Sequence, residues 1–88
     1  MRSYSVGRSS DADIVIDDPT VSRRHADFVV TDDGRYYLND LRSKWGTFVW
    51  SGQDWTQIRQ TFVEPNARIK LGGWAGTAAD LVNLSRRR

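Results

Sequence analysis

Cysteine is absent from this 88-residue chain, so neither a disulfide framework nor a thiolate-held metal can support it. Stability has to come from packing, and the composition fits a reducing compartment. Long apolar runs are missing too. None approaches the ~20 residues needed to cross a bilayer, and Met1–Val6 lacks the apolar stretch of a secretory leader. The expected setting is cytoplasmic, with no membrane partner. Strong charge of one sign is also lacking. The net charge is +2, and three of the thirteen basic residues are the terminal Arg86-Arg87-Arg88, so without them the body carries −1. A nearly neutral body argues against a nucleic-acid partner, which needs a broad basic surface. Residues 1–85 are expected to form one domain, and residues 86–88 a basic tail.

What remains is the composition of an ordinary folded domain. Hydrophobic residues make up 39% and charged residues 27%, too apolar for a disordered segment and enough for one modest core. The apolar residues fall in short β-like runs: Tyr4–Val6, Ile14–Ile16, Ala26–Thr31, Arg35–Asn39, Phe48–Trp50, Ile58–Val63, Arg68–Leu71 and Ala79–Leu84. Turn formers separate them, and Asp33-Gly34 between two apolar runs is the clearest hairpin signal. Alternation places Tyr36 and Leu38 on one face and Tyr37 on the other, and turns Ile69 and Leu71 inward while Arg68 and Lys70 face out. No helix-length amphipathic segment is evident. These patterns predict an all-β, sandwich-like domain with almost no helix.

Three segments carry chemistry. Gly7-Arg8 ends the first run, Ser22-Arg23-Arg24-His25 follows fourteen residues later, and Gly46-Thr47-Phe48-Val49 about twenty residues after that. A guanidinium offers a fork of donors matched to phosphate oxygens, and a serine in a tight loop adds a hydroxyl and a backbone N–H. Together these segments resemble the forkhead-associated (FHA) family of phosphothreonine-peptide readers, over about residues 4 to 83. The resemblance implies an antiparallel β-sandwich of about eleven short strands with its binding loops at one end. It also implies a non-enzymatic interaction module, normally part of a larger protein, whose partner is a phosphothreonine-containing substrate of a serine/threonine kinase. No cofactor is implied.

By that resemblance Arg8 clamps the phosphate, with Gly7 letting the chain turn to aim it, and Ser22 donates to a phosphate oxygen. Arg23 contacts the peptide beside the phosphothreonine; Arg24 is the weaker candidate. His25, the only histidine, braces the loops, and Gly46 and Thr47 are scaffold. A Ser22–His25 nucleophilic pair is the competing reading, and Asp27 lies on the same strand face as His25, but nothing suggests an oxyanion hole or substrate pocket. The aspartate pairs at 17–18 and 32–33 lack the pattern of a calcium loop, so no metal is expected.

The second loop, Asp40–Val49, departs from the family's usual Ser-Thr-Asn-Gly-Thr. Lys44 takes the threonine position and Trp45 the asparagine position, and Trp50-Ser51 stands where a further asparagine is usual. An ammonium can replace a hydroxyl at a phosphate. An indole cannot replace an amide, since it donates one hydrogen bond and accepts none. Lys44 is therefore expected to bind phosphate and Trp45 to contact the flanking chain. Trp45 and Trp50 are equally readable as core, or as an apolar platform. In the latter case Trp45 would anchor a phospho-independent partner.

Overall fold

A computed structural model describes residues 1–85; the Arg86–Arg88 tail lies outside the described residues. Nine strands and one helix follow one another along the chain. The first sheet contains β1 (Arg2–Gly7), β2 (Ile14–Val15), β3 (Ala26–Val30), β4 (Tyr36–Asp40) and β7 (Gln60–Val63), in the order β2-β1-β3-β4-β7. The second contains β5 (Thr47–Trp50), β6 (Trp55–Ile58), β8 (Arg68–Leu71) and β9 (Trp74–Thr77), in the order β6-β5-β8-β9. Pairing is antiparallel except between β1 and β2, where Val6 and Gly7 lie parallel to Ile14 and Val15.

The core follows from period-two burial. Ala26, Phe28 and Leu38 point inward from β3 and β4 and meet Ile69 and Leu71 of β8, while Val6, Ile14 and Val21 close the loop end. Tyr36 packs on this cluster, and Tyr37 stacks edge-on against Phe62 on the outer face. The β3–β4 hairpin turns at Gly34, whose φ of 82° favours glycine.

Three elements differ from the sequence reading. The segment read as a strand at Ala79–Leu84 is a helix, α1 (Ala78–Ser85), which buries Ala78 and Leu81. Its start is a capping box: Thr77 Oγ1 accepts the Asp80 N–H at 3.2 Å, and the Asp80 carboxylate accepts the Thr77 N–H at 2.9 Å. The run Ile58–Val63 is two strands, because the chain crosses between sheets at Arg59: Ile58 pairs with Thr47, and Gln60 with Asn39. Trp74–Thr77 adds β9, which the glycines around it concealed. Strands therefore number nine, where about eleven were implied. Among the described residues no helix is long and apolar enough to cross a membrane.

Candidate functional site

Three connections meet at one end of the sandwich: residues 17–25 before β3, residues 41–46 before β5, and the Gly72-Gly73 turn between β8 and β9. Side-chain hydrogen bonds tie them together. Buried His25 accepts the Ser22 N–H at Nδ1 (3.0 Å) and donates from Nε2 to the Gly46 carbonyl (3.0 Å). That same carbonyl accepts the Gly72 N–H at 2.9 Å. Thr20 Oγ1 donates to Asp18 and accepts the Gly73 N–H at 2.6 Å. Burial lowers the His25 pKa, only partly offset by the Gly46 bond and the Asp40 charge, so the ring is the neutral Nε2–H tautomer.

The 41–46 loop is knotted from beneath by Asp40. Its Oδ1 accepts the Ser43 hydroxyl (2.5 Å) and the buried Thr47 hydroxyl (2.6 Å), and its Oδ2 accepts the Ser43 N–H (3.1 Å). Burial pushes this carboxyl up, but the hydroxyl and amide donors outweigh it and hold its pKa below the usual value. Gly46 has φ of 89°, a left-handed position that favours glycine. Gly7 serves a different need from the turn expected of it. A Cβ there would stand 2.0 Å from the Arg23 carbonyl oxygen, so the glycine lets the Ser22–Arg23 backbone lie against β1.

On this frame one shallow depression is lined by Arg8, Ser22, Arg23, Arg24, Lys44 and Trp45, with Pro19, Thr20 and Val21 at its edge. All five sequence-predicted ligand-binding candidates thus come together, and Arg24 joins Arg23 instead of turning away. The Arg8 Nε donates to the Val21 carbonyl at 3.0 Å, which fixes the guanidinium and leaves its terminal nitrogens open. Ser22 Oγ accepts the Lys44 N–H at 3.0 Å, so its own proton can be donated outward. None of the four cations forms an ion pair with a carboxylate among the described residues. Trp45 is 57% exposed, with the Lys44 ammonium 5.5 Å from its ring centroid; it is no core residue. Trp50 is half-buried on the outer face of the second sheet, edge-on to Trp55 and apart from the site.

The serine–histidine pair is not arranged as nucleophile and base. His25 Nδ1 takes the Ser22 amide and not its hydroxyl, and Nε2 is committed to Gly46. Sequence reasoning passed over Asp40 and Thr20, whose side-chain hydrogen bonds set both loops. The Asp-x-x-Ser spacing from Asp40 to Ser43 was their only local sign, and it also marks ordinary turns.

An FHA domain family model matches residues 4–72. The chain is 38% identical over 76 residues to the oxoglutarate dehydrogenase inhibitor of Corynebacterium efficiens, covering 85% of this chain and 53% of that protein. It therefore spans about half the length of that curated relative. Mycobacterium tuberculosis EmbR, solved in complex with a low-affinity phosphopeptide, superposes with a TM-score of 0.72 at 33% identity, over 85% of this chain and 19% of that one. A domain from a structural and functional analysis of phosphothreonine-dependent FHA domain interactions gives a TM-score of 0.71 at 30% identity, over 85% and 75% of the two chains. By its fold, its loop frame and the family match across most of its length, this chain belongs to the FHA domain family.

Proposed function

We propose that residues 1–85 form a recognition unit that binds phosphothreonine in a partner protein phosphorylated by a serine/threonine kinase, without catalysis. The observation that carries this reading is the gathering of Arg8, Ser22, Arg23, Arg24 and Lys44 around one depression, with none of the four cations ion-paired to a carboxylate among the described residues. The terminal nitrogens of Arg8, the Ser22 hydroxyl and the Lys44 ammonium hold the phosphate oxygens, while Arg23 and Trp45 meet the chain on either side. Charge-assisted bonds contribute on the order of 1.5–3 kcal/mol each. A few give roughly micromolar affinity after the costs of association. The phosphopeptide complex of EmbR, a structural relative, supports the assignment. Because kinases consume ATP to make the ligand, the reading places the encounter in the cytoplasm.

A second reading rests on one observation, the 57% exposure of Trp45. An indole this open at the rim of a polar site can anchor an unphosphorylated partner. A degenerate phosphothreonine peptide library, screened beside its unphosphorylated twin, separates the two. The first reading expects retention of the phosphorylated pool alone; equal retention of both pools supports the second.

A further inference from the structure

The 41–46 loop is a ridge with a depression on each side. Lys44 and Trp45 face the one just described. On the other flank a polar cleft opens where the chain crosses between sheets, lined by Arg42 and Arg59 with the side chains of Asn39, Gln57 and Gln60. Both arginines are exposed, and neither forms an ion pair among the described residues. The one carboxylate at the cleft, Asp40, is already occupied by the hydroxyls of Ser43 and Thr47.

The backbone at Arg42 adds an independent observation. Its φ is 57°, and it is the only residue other than glycine with positive φ among those described. Asparagine or glycine fills such a position at lower cost, so an arginine there is a strained backbone position, flanked by the Asp40–Ser43 hydrogen bonds of the same loop.

We propose that this cleft is a second anion site, in which Arg42 and Arg59 take a carboxylate or a second phosphate of the same bound segment, with the three amides completing its hydrogen bonds. The proposal rests on the phosphothreonine reading above. Arg42 and Lys44 are two residues apart, so their Cα atoms are separated by at most ~7 Å. An extended segment advances about 3.3 Å per residue. The side chains add their own reach on either flank of the loop, so the second anion falls within a few residues of the phosphothreonine, on one side of it. The domain selects segments that are acidic or doubly phosphorylated at that spacing.

The test is an anisotropy titration of the 88-residue chain against phosphothreonine peptides in an alanine background. Glutamate is scanned through the four positions on each side, and phosphoserine is then placed at the best one. The proposal expects one or two positions on one side to tighten binding about 5- to 10-fold with glutamate, and phosphoserine to show whether the dianion is preferred. Arg42→Ala/Arg59→Ala removes that gain while binding the parent peptide within about twofold of wild type. Arg68→Ala, a charge loss on the far sheet face, retains the gain. A flat scan with intact parent binding overturns the second site alone, as does a gain that survives in the double variant. A parent peptide that binds no better than its unphosphorylated twin overturns the phosphothreonine reading and this site with it.

Discussion

His25 Nε2 lies 3.0 Å from the carbonyl oxygen of Gly46, twenty-one residues further along the chain, and neither atom is exposed to solvent. This bond and its companion from the Ser22 amide make one neutral ring the crosspiece between two loops that sequence alone leaves independent. Removing it leaves the part-buried Ser22 N–H without its acceptor and the Gly46 carbonyl with only the Gly72 N–H. Each costs about 1–3 kcal/mol, so His25→Ala is expected to lower the melting temperature by roughly 10 °C or more. Thermal denaturation checks it; a shift under about 3 °C would show that the loops hold without the ring.

The same ring makes stability depend on pH. Its folded pKa is lowered from 6.5 by burial, so below 6.5 the unfolded chain takes up a proton that the folded chain does not. The stabilisation is complete above pH 6.5 and declines as pH falls from there toward the folded pKa. Denaturant midpoints measured from pH 8 to 5 should fall in the wild type and stay level in His25→Gln over that window. Asp40 acts lower down: its depressed pKa contributes stability that is lost only as pH falls below the usual carboxylate value of 3.8.

Gly7→Ala tests the contact of β1 with the Ser22–Arg23 backbone. The added methyl would meet the Arg23 carbonyl oxygen at 2.0 Å, and backbone on both sides leaves little room to yield. A loss of roughly 3 kcal/mol or more is expected. Gly34→Ala is the comparison: nothing lies within 4 Å of its Cβ, so only the left-handed strain of about 1 kcal/mol applies. Chemical denaturation of the two variants should rank them in that order.

Trp45→Asn should leave stability unchanged, because the indole is exposed. An amide can both donate to and accept from a peptide backbone. One or two such bonds, about 1–2 kcal/mol, should tighten generic phosphothreonine peptides about 5- to 30-fold. The same substitution should weaken peptides that a library selects on the wild type, where the indole face is the contact. Parallel titrations of both peptide sets decide it.

Much of this was legible in the residues. Asp33-Gly34 announced its hairpin, and the alternation in Arg68–Leu71 gave the buried face of β8 directly. Arg8, Ser22 and Lys44, scattered over thirty-six positions, were grouped by motif order and do line one depression. What stayed hidden depended on partners distant in sequence. Leu81 and Val82 are equally apolar in a strand or a helix, and the Thr77–Asp80 cap that decides between them is two short side chains. The break at Arg59 carries no glycine or proline; it exists because Ile58 and Gln60 pair in different sheets. Gly7 looked like a turn residue because the backbone it accommodates lies sixteen positions away.

The central claim is that a phosphate group is what the depression recognises, and that Arg8 holds it. Calorimetric titration of a library-selected peptide, with and without its phosphate, into the wild type and Arg8→Ala tests this most directly. The account predicts roughly micromolar binding of the phosphorylated peptide to the wild type, no measurable binding of the unphosphorylated one, and at least a 30-fold loss in Arg8→Ala, with its melting temperature within about 5 °C of wild type. Equal affinity for the two peptides, or undiminished binding by a folded Arg8→Ala, would contradict it.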